Sequence, residues 1–301
     1  MLLILTGSGD GTVDRIIHHS SLPVFRLNLD LFSDYQISYS PNYWKITDPT
    51  GRSISSENAT RVFWWKAFSY GLNQESFLHE ELKYLFRELY SWFGFRNQII
   101  GNPPDTEHRI GKVRQLEIAQ NYFQVPQTQL LINSPFPPAS ENGHIVKSFT
   151  SGLTTSSKAM FTQEVSLNSL DNAIPWYVQE KIDSTEDITV MVAGDNLYAY
   201  SRSRSNLVGL DWRAEQFSDD TRWIPIRLKS NEITSIENYC RDLGVSWGRI
   251  DFMFSKGDLY FLEINFNGQW AFLDIENNHG LIAAVVKYIE TGRTHSQLNL
   301  R

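Results

Sequence analysis

The stretch FLEINFNGQW, residues 261–270, decides the fold. It opens as a strand whose residues alternate between two faces, so Glu263 and Asn265 project to one side while Leu262 and Ile264 face a core. Two oxygen-bearing side chains point the same way just before Asn267-Gly268-Gln269-Trp270. Upstream, RIDFMF at 249–254 is a second strand, and SKGD at 255–258 carries a glycine where positive φ is easy. A β-hairpin follows. With a three-residue loop of Lys256, Gly257 and Asp258, Asp251 falls opposite Glu263; with a two-residue loop the pairing moves by one and the two carboxylates go to opposite faces. In the first register Asp251, Glu263 and Asn265 share a face. Like charges opposite each other in a sheet repel. A hard divalent cation such as Mg²⁺ relieves that repulsion, because it binds through one or two carboxylates and fills its shell with water and phosphate oxygens. An exposed hairpin with scattered acids is the plainer reading, so the rest of the chain has to choose between them.

Its 301 residues suggest two or three domains or subdomains. A hydrophobic share of 41% with nine Trp describes a folded chain and excludes a disordered one. The net charge of −7 gives no overall basic field, which excludes a nucleic-acid partner and makes any phosphate site local. Cys240 is the single cysteine, so there is no internal disulfide and a reducing cytoplasm is expected. The histidines lack the spacing of a structural zinc site. MLLIL is too short for a signal peptide, and no apolar run approaches the roughly 20 residues that cross a bilayer, so no membrane partner is expected.

Along the chain, LLIL, TGSGDGT, TVDRIIHHSS and PVFRLNL read as strand, loop, helix and strand, the start of a parallel α/β layer. Gly7, Gly9 and Gly11 are spaced GxGxG, not GxGxxG, and read as a strand-to-helix turn rather than a dinucleotide loop. In ESFLHEELKYLFRELYSWF, Phe77, Leu78, Leu82, Leu85, Phe86 and Leu89 recur at helical spacing and are expected in the core. NPPD at 102–105 sets a first boundary. TEHRIGKVRQLEIAQNYF reads as one helix, VPQTQLLI, IVKSF and WYVQEKI as strands, and DITVMVAG with NLYAYSRS as a hairpin about Asp195 and Asn196. The fold class is α/β with α+β, divided as 1–103, 104–178 and 179–301.

Lys147 stands on a strand beside apolar Ile145, Val146 and Phe149, and a charge there calls for an anion. TSGLTTSSKAMFT after it, with Lys158, is a loop of small residues able to close over a polyphosphate with backbone N–H groups and hydroxyls.

These pieces, in this order, resemble an ATP-grasp ligase, and more narrowly the ATP-grasp peptide maturases that make graspetides, the microviridin-type macrocyclases. The resemblance runs over essentially the whole chain through FRLNLD, WWK, GKVRQLEIA, VPQTQL, IVKSF, WYVQEKI, DITVMVAGDNLYAY, GLDWRAE, GRIDFMF and, most specifically, FLEINFNGQW. It implies an N-terminal pre-ATP-grasp α/β domain with central and C-terminal subdomains enclosing a nucleotide. It implies Asp251, Glu263 and Asn265 as Mg²⁺ ligands and Lys112 and Lys147 on the ATP phosphates. Gln179, Glu180 and Lys181 match the hinge that meets adenine, Asp187 a ribose contact, and Arg213 the arginine facing the γ-phosphate and acyl phosphate. Relatives usually carry an acidic residue, any residue, then arginine where this chain has Asp187-Ile188-Thr189, and Arg202 or Arg204 on the paired strand are candidates to restore that charge. Phe266 stands where relatives often have proline.

The activity so implied joins an Asp or Glu side chain of a precursor peptide, with its leader and core, to a Ser or Thr hydroxyl or a Lys amine. The rivals are an ATP-grasp ligase adding a free amino acid and a catalytically silent nucleotide-binding partner. Trp64 and Trp65 are candidates for docking the leader or for core packing. A homodimer is one assembly to test.

Overall fold

The structure is a computed structural model describing residues 1–66, 77–102, 106–137, 143–147, 162–205, 207 and 222–292. The chain begins with β1 (Leu2–Thr6), α1 (Gly11–His19) and β2 (Val24–Asn28). All five residues of β1 are buried, as expected of an apolar strand covered on both faces. The Asp10 carboxylate caps α1, accepting from the backbone N–H of Thr12 at 2.9 Å and Val13 at 3.3 Å, so the glycine loop is a strand-to-helix turn. There follow β3 (Gln36–Ser40), β4 (Tyr43–Thr47), β5 (Ser53–Ser55), β6 (Arg61–Trp64), α2 (Phe77–Gly94) and β7 (Ile99–Gly101). A parallel sheet runs in the order β2-β1-β6-β7, with β3-β4-β5 as a small antiparallel sheet beside it. Leu3, Leu5, Phe25, Leu27 and Trp64 pack one face of the parallel sheet against Trp44, Ile46, Leu89 and Phe93.

The apolar stripe of α2 is core only in part. Leu82, Leu89 and Phe93 are buried, but Phe77 and Leu78 are 79% and 45% exposed. In the first turn His79 is the residue that is buried, so the helix turns its histidine rather than Phe77 and Leu78 inward there.

The central part contains α3 (Thr106–Arg109), α4 (Lys112–Ala119), β8 (Thr128–Leu131), β9 (His144–Lys147), β10 (Gln163–Glu164) and β11 (Trp176–Glu180). The single helix expected here is two, because Gly111 is extended (φ −69, ψ 164) and caps α4. Lys112 therefore opens a helix. The strands form an antiparallel sheet in the order β10-β9-β11-β8.

The C-terminal part holds β12 (Glu186–Ala193), β13 (Asn196–Ser203), β14 (Ile224–Ile226), α5 (Ser230–Leu243), β15 (Trp247–Ser255), β16 (Asp258–Asn265) and α6 (Leu281–Thr291). Its sheet runs β14-β13-β12-β15-β16. Ile188, Val190, Ile250, Phe252, Phe261 and Ile264 turn one face into a core with α4 and α5. On the other face Met191, Ala193 and Trp247 join Leu2, Ile4 and Phe63 of the N-terminal sheet, Trp65 just past it and the apolar side of α6. That second face becomes polar further along.

The hairpin differs from expectation in its turn. Ser255 pairs with Asp258, so the loop is two residues, Lys256 (φ 52) and Gly257 (φ 94). Both φ values are positive, as in the type I′ turns that match strand twist. Asp251 nevertheless pairs with Glu263, because a β-bulge interrupts the register between Asp251 and Phe252. Phe252 faces Phe261, Leu262 is the inserted residue, and Phe261 rather than Leu262 joins Ile264 in the core. Among the described residues no helix is long and apolar enough to cross a membrane.

Candidate active site

Strand alternation on β12, β15 and β16 places Asp187, Thr189, Arg249, Asp251, Glu263 and Asn265 on the polar end of one sheet face. The three expected oxygen donors are together. Asn265 Nδ2 donates to Asp251 Oδ2 at 2.7 Å and reaches Glu263 Oε1 at 3.4 Å. Gly268 is required beside them: a Cβ there would stand 2.7 Å from Asn265 Cβ.

Cations offset the paired carboxylates. Lys112 Nζ lies 3.3 Å from Glu263 Oε2. Burial pushes the Glu263 carboxyl up, but the Lys112 and Lys147 charges and hydrogen bonds from Lys112 and Asn265 outweigh it and hold the group below the ordinary carboxylate range. Lys147, at the end of β9, is near enough for its charge to act on Glu263. Helix α4 is fixed against β16 by buried Gln115, whose Oε1 accepts from the Ile264 N–H at 3.0 Å, satisfying an amide on the sheet's edge strand.

Asp251 has its own cation. Arg249 Nε and Nη2 donate to its two oxygens at 3.2 and 3.0 Å, and Thr189 Oγ1 donates to Oδ1 at 2.7 Å. Arg202 and Arg204, the candidates to restore a charge at Thr189, both lie beside Asp187. Arg204 pairs with Asp187 at 2.7 Å, and buried Arg202 lies across from Asp187 on β13. Burial nonetheless raises the Asp187 carboxyl above its usual range despite both arginines, with Asp251 adding to the rise. The guanidinium that touches Asp251 is Arg249. Strand alternation alone puts residue 249 on the face of residue 251, so this signal was present in the sequence.

Gln179, Glu180 and Lys181, the residues expected at a hinge, are positioned mainly by their neighbours. Buried Gln179 donates to Thr128 Oγ1 at 2.9 Å, and Lys181 Nζ pairs with Glu164 at 2.7 Å. The N–H groups of Glu180 and Lys181 donate to Gln127 O at 2.8 Å and Gly143 O at 3.1 Å. Arg213, with GLDWRAE, and Lys158, with the small-residue loop, lie outside the described residues. Trp64 and Trp65 are buried, which makes them core residues and removes them from leader docking. Phe266 is buried in the core behind the site.

Among the described residues no group of three or more His, Cys, Asp or Glu side chains could hold a metal. Two carboxylates and an amide remain, and that donor set suits a hard cation that takes its other ligands from water and phosphate.

No family model matches the sequence, and no curated protein does. Solved structures do. A macrocyclase from Microcystis aeruginosa, MdnC, bound with precursor peptide MdnA, is 20% identical, with a TM-score of 0.76 over 97% of this chain and 100% of that one. A RiPP-associated ATP-grasp ligase from Chryseobacterium gregarium, in complex with ADP and a leader and core peptide, is 22% identical, with a TM-score of 0.76 over 97% of each chain. The ATP-grasp ligase PsnB, with a phosphomimetic variant of its minimal precursor, Mg and ADP, is 13% identical, with a TM-score of 0.68 over 96% of this chain and 97% of that one.

Proposed function

We propose that this chain, whose fold is ATP-grasp, is a peptide maturase of the graspetide kind: an ATP- and Mg²⁺-dependent ligase that crosslinks side chains within a precursor peptide. The observation that carries the reading is the convergence of Asp251, Glu263 and Asn265 on one sheet face beside Lys112 and Lys147. Proteins sharing the fold were solved with precursor peptides, and two of them with ADP.

In the proposed reaction a carboxylate oxygen of a peptide Asp or Glu attacks the γ-phosphorus, the bond to the β-phosphate oxygen breaks, and ADP leaves. A Ser or Thr hydroxyl or a Lys amine then attacks the acyl carbon, loses its proton and expels phosphate, leaving an ester or amide. The peptide loses one water per crosslink. Such phosphoryl transfer needs positioning and charge neutralisation more than covalent help. Lys112 and Lys147 would neutralise phosphate oxygens, Gln179–Lys181 would border adenine, and Asp187 would stand toward the ribose. Arg213 would face the transferred group, with Arg202 and Arg204 holding Asp187 in place. Asp251, Glu263 and Asn265 would hold Mg²⁺, which when bound supplies charge to the polyphosphate.

Incubation with ATP, Mg²⁺ and a candidate precursor, followed by mass spectrometry, tests the reading. Loss of one water per crosslink supports it. A mass gain would instead indicate addition of a free amino acid, and nucleotide binding without turnover a silent nucleotide-binding partner.

A further inference from the structure

The parallel sheet reverses its winding between β1 and β6: the chain leaves β1 for β2 on one side and returns to β6 on the other. In open α/β sheets the crevice outside the carboxyl ends of the strands at such a reversal is where ligands bind. Gly7–Asp10 after β1 and Trp65-Lys66 after β6 border it here. Asp10 is already committed, to the start of α1 and to Trp65 Nε1 at 2.8 Å. From the C-terminal part Gln269 closes the same crevice, accepting from Thr12 Oγ1 at 2.5 Å, and Arg249 Nη1 donates to the Gln269 carbonyl at 2.6 Å. The crevice and the carboxylate cluster therefore share a wall, and Arg249 stands in it.

Two features of that wall call for an anion. Arg249 has five N–H donors, of which Asp251 and Gln269 take three in hydrogen bonds, leaving two. Lys66 is half-buried with its Nζ 5.6 Å from the Trp65 ring centroid, and no carboxylate lies within ion-pair distance of it among the described residues. Its backbone is in the left-handed region (φ 40), uncommon for a side chain of this size. Burial lowers the Lys66 ammonium, Asp10 opposes this, and the nearby Arg249 charge lowers it further. Two cations bordering one partly dry crevice are unfavourable until an anion joins them there.

We propose that Lys66 and Arg249 form a clamp for the side-chain carboxylate of the peptide substrate, delivering it from the N-terminal crevice to the edge of the Asp251–Glu263–Asn265 cluster. This rests on the ligase reading above and adds to it the residues that select an acid. Lys66 contributes a point charge and Arg249 a planar fork that can hold a carboxylate while keeping Asp251.

Calorimetric titration tests it, using N-acetylglutamate amide and N-acetylglutamine amide as probes on the full chain saturated with a non-hydrolysable ATP analogue and Mg²⁺. The wild type is expected to bind the glutamate probe about tenfold or more tightly than the glutamine probe, in keeping with charge-assisted bonds. Lys66→Met and Arg249→Gln should each collapse that preference, while Lys66→Arg should preserve most of it, separating lost charge from lost folding. A preference that survives both charge-removing variants would overturn the clamp, as would a wild type that binds nucleotide yet ignores the difference between the probes. A wild type that fails to bind the Mg²⁺-nucleotide at all would bring down the ligase reading and the clamp with it.

Discussion

Asp251 is the most heavily contacted of the three oxygen donors, with Thr189, Arg249 and Asn265 all donating to it and Glu263 facing it across the ladder. Glu263 has the opposite balance, held ionised mainly by two lysines that would also neutralise phosphate. Replacing Glu263 by Gln keeps the shape and removes the charge, so ADP release in a coupled assay should fall by about 100-fold while peptide affinity changes little. An unchanged rate of ADP release removes Glu263 from the site. Gly268→Ala acts by sterics, since the new Cβ would stand 2.7 Å from that of Asn265. It should raise the Mg²⁺ concentration needed for half-maximal activity by about tenfold; an unchanged Mg²⁺ titration would show that Asn265 is not a ligand. At this scale the site was legible wherever strand alternation applies, as for Asp251, Glu263 and Asn265. Arg249 obeys the same rule, two residues before Asp251 on the same strand. Lys66 carried no local signal of its role, because its relation to Arg249 exists only once two distant parts of the chain pack together.

The hairpin β15–β16 shows how an element can reach the expected geometry by another route. Its turn is set by local chemistry, and two positive φ values at Lys256 and Gly257 fix a two-residue loop. That loop alone would place Glu263 out of register with Asp251. The bulge at Leu262 restores the pair, and it lets both Phe261 and Ile264 enter the core while Glu263 faces the site. A bulge is settled by competition between core packing and pairing, so residue alternation does not announce it. The turn is open to test. A Cβ at Gly257 meets no atom within 4 Å, but its φ of 94° is strained for any L side chain. Gly257→Ala should therefore destabilise the protein by about 1 kcal/mol. Lys256→Asn should stabilise it by a few tenths of a kcal/mol, because asparagine tolerates the left-handed region. Urea denaturation measures both, and equal midpoints for the wild type and Gly257→Ala would mean that the two-residue turn is not the one formed.

For the whole molecule, the N-terminal and C-terminal sheets are tied by more than a shared apolar core. Trp65, Trp247 and Trp270 interlock at ring separations of 6.3 Å between neighbours, and Trp247 stacks on Tyr288 of α6 at 6.1 Å. Buried Asn102, just past β7, adds a polar bolt. Its Nδ2 donates to Trp247 O at 2.9 Å, where β15 begins, and to Phe266 O at 2.8 Å, just past β16. Asn267 Nδ2 donates back to the Asn102 carbonyl at 3.1 Å. In the sequence Asn102 opens NPPD, and its prolines made it read as a boundary; nothing local shows that its amide serves two carbonyls more than a hundred residues away. Asn102→Leu nearly conserves volume and strips both donors, leaving two buried carbonyls short of a partner. The expected cost is about 1–3 kcal/mol. Urea titration should show a lower midpoint with an unchanged slope, since the surface exposed on unfolding is the same. Because the two carbonyls flank the ends of the β15–β16 hairpin proposed to hold Mg²⁺, the variant should also need more Mg²⁺ for half-maximal ADP release under conditions where it remains folded. A midpoint equal to that of the wild type would mean that the apolar core alone holds the two sheets in register.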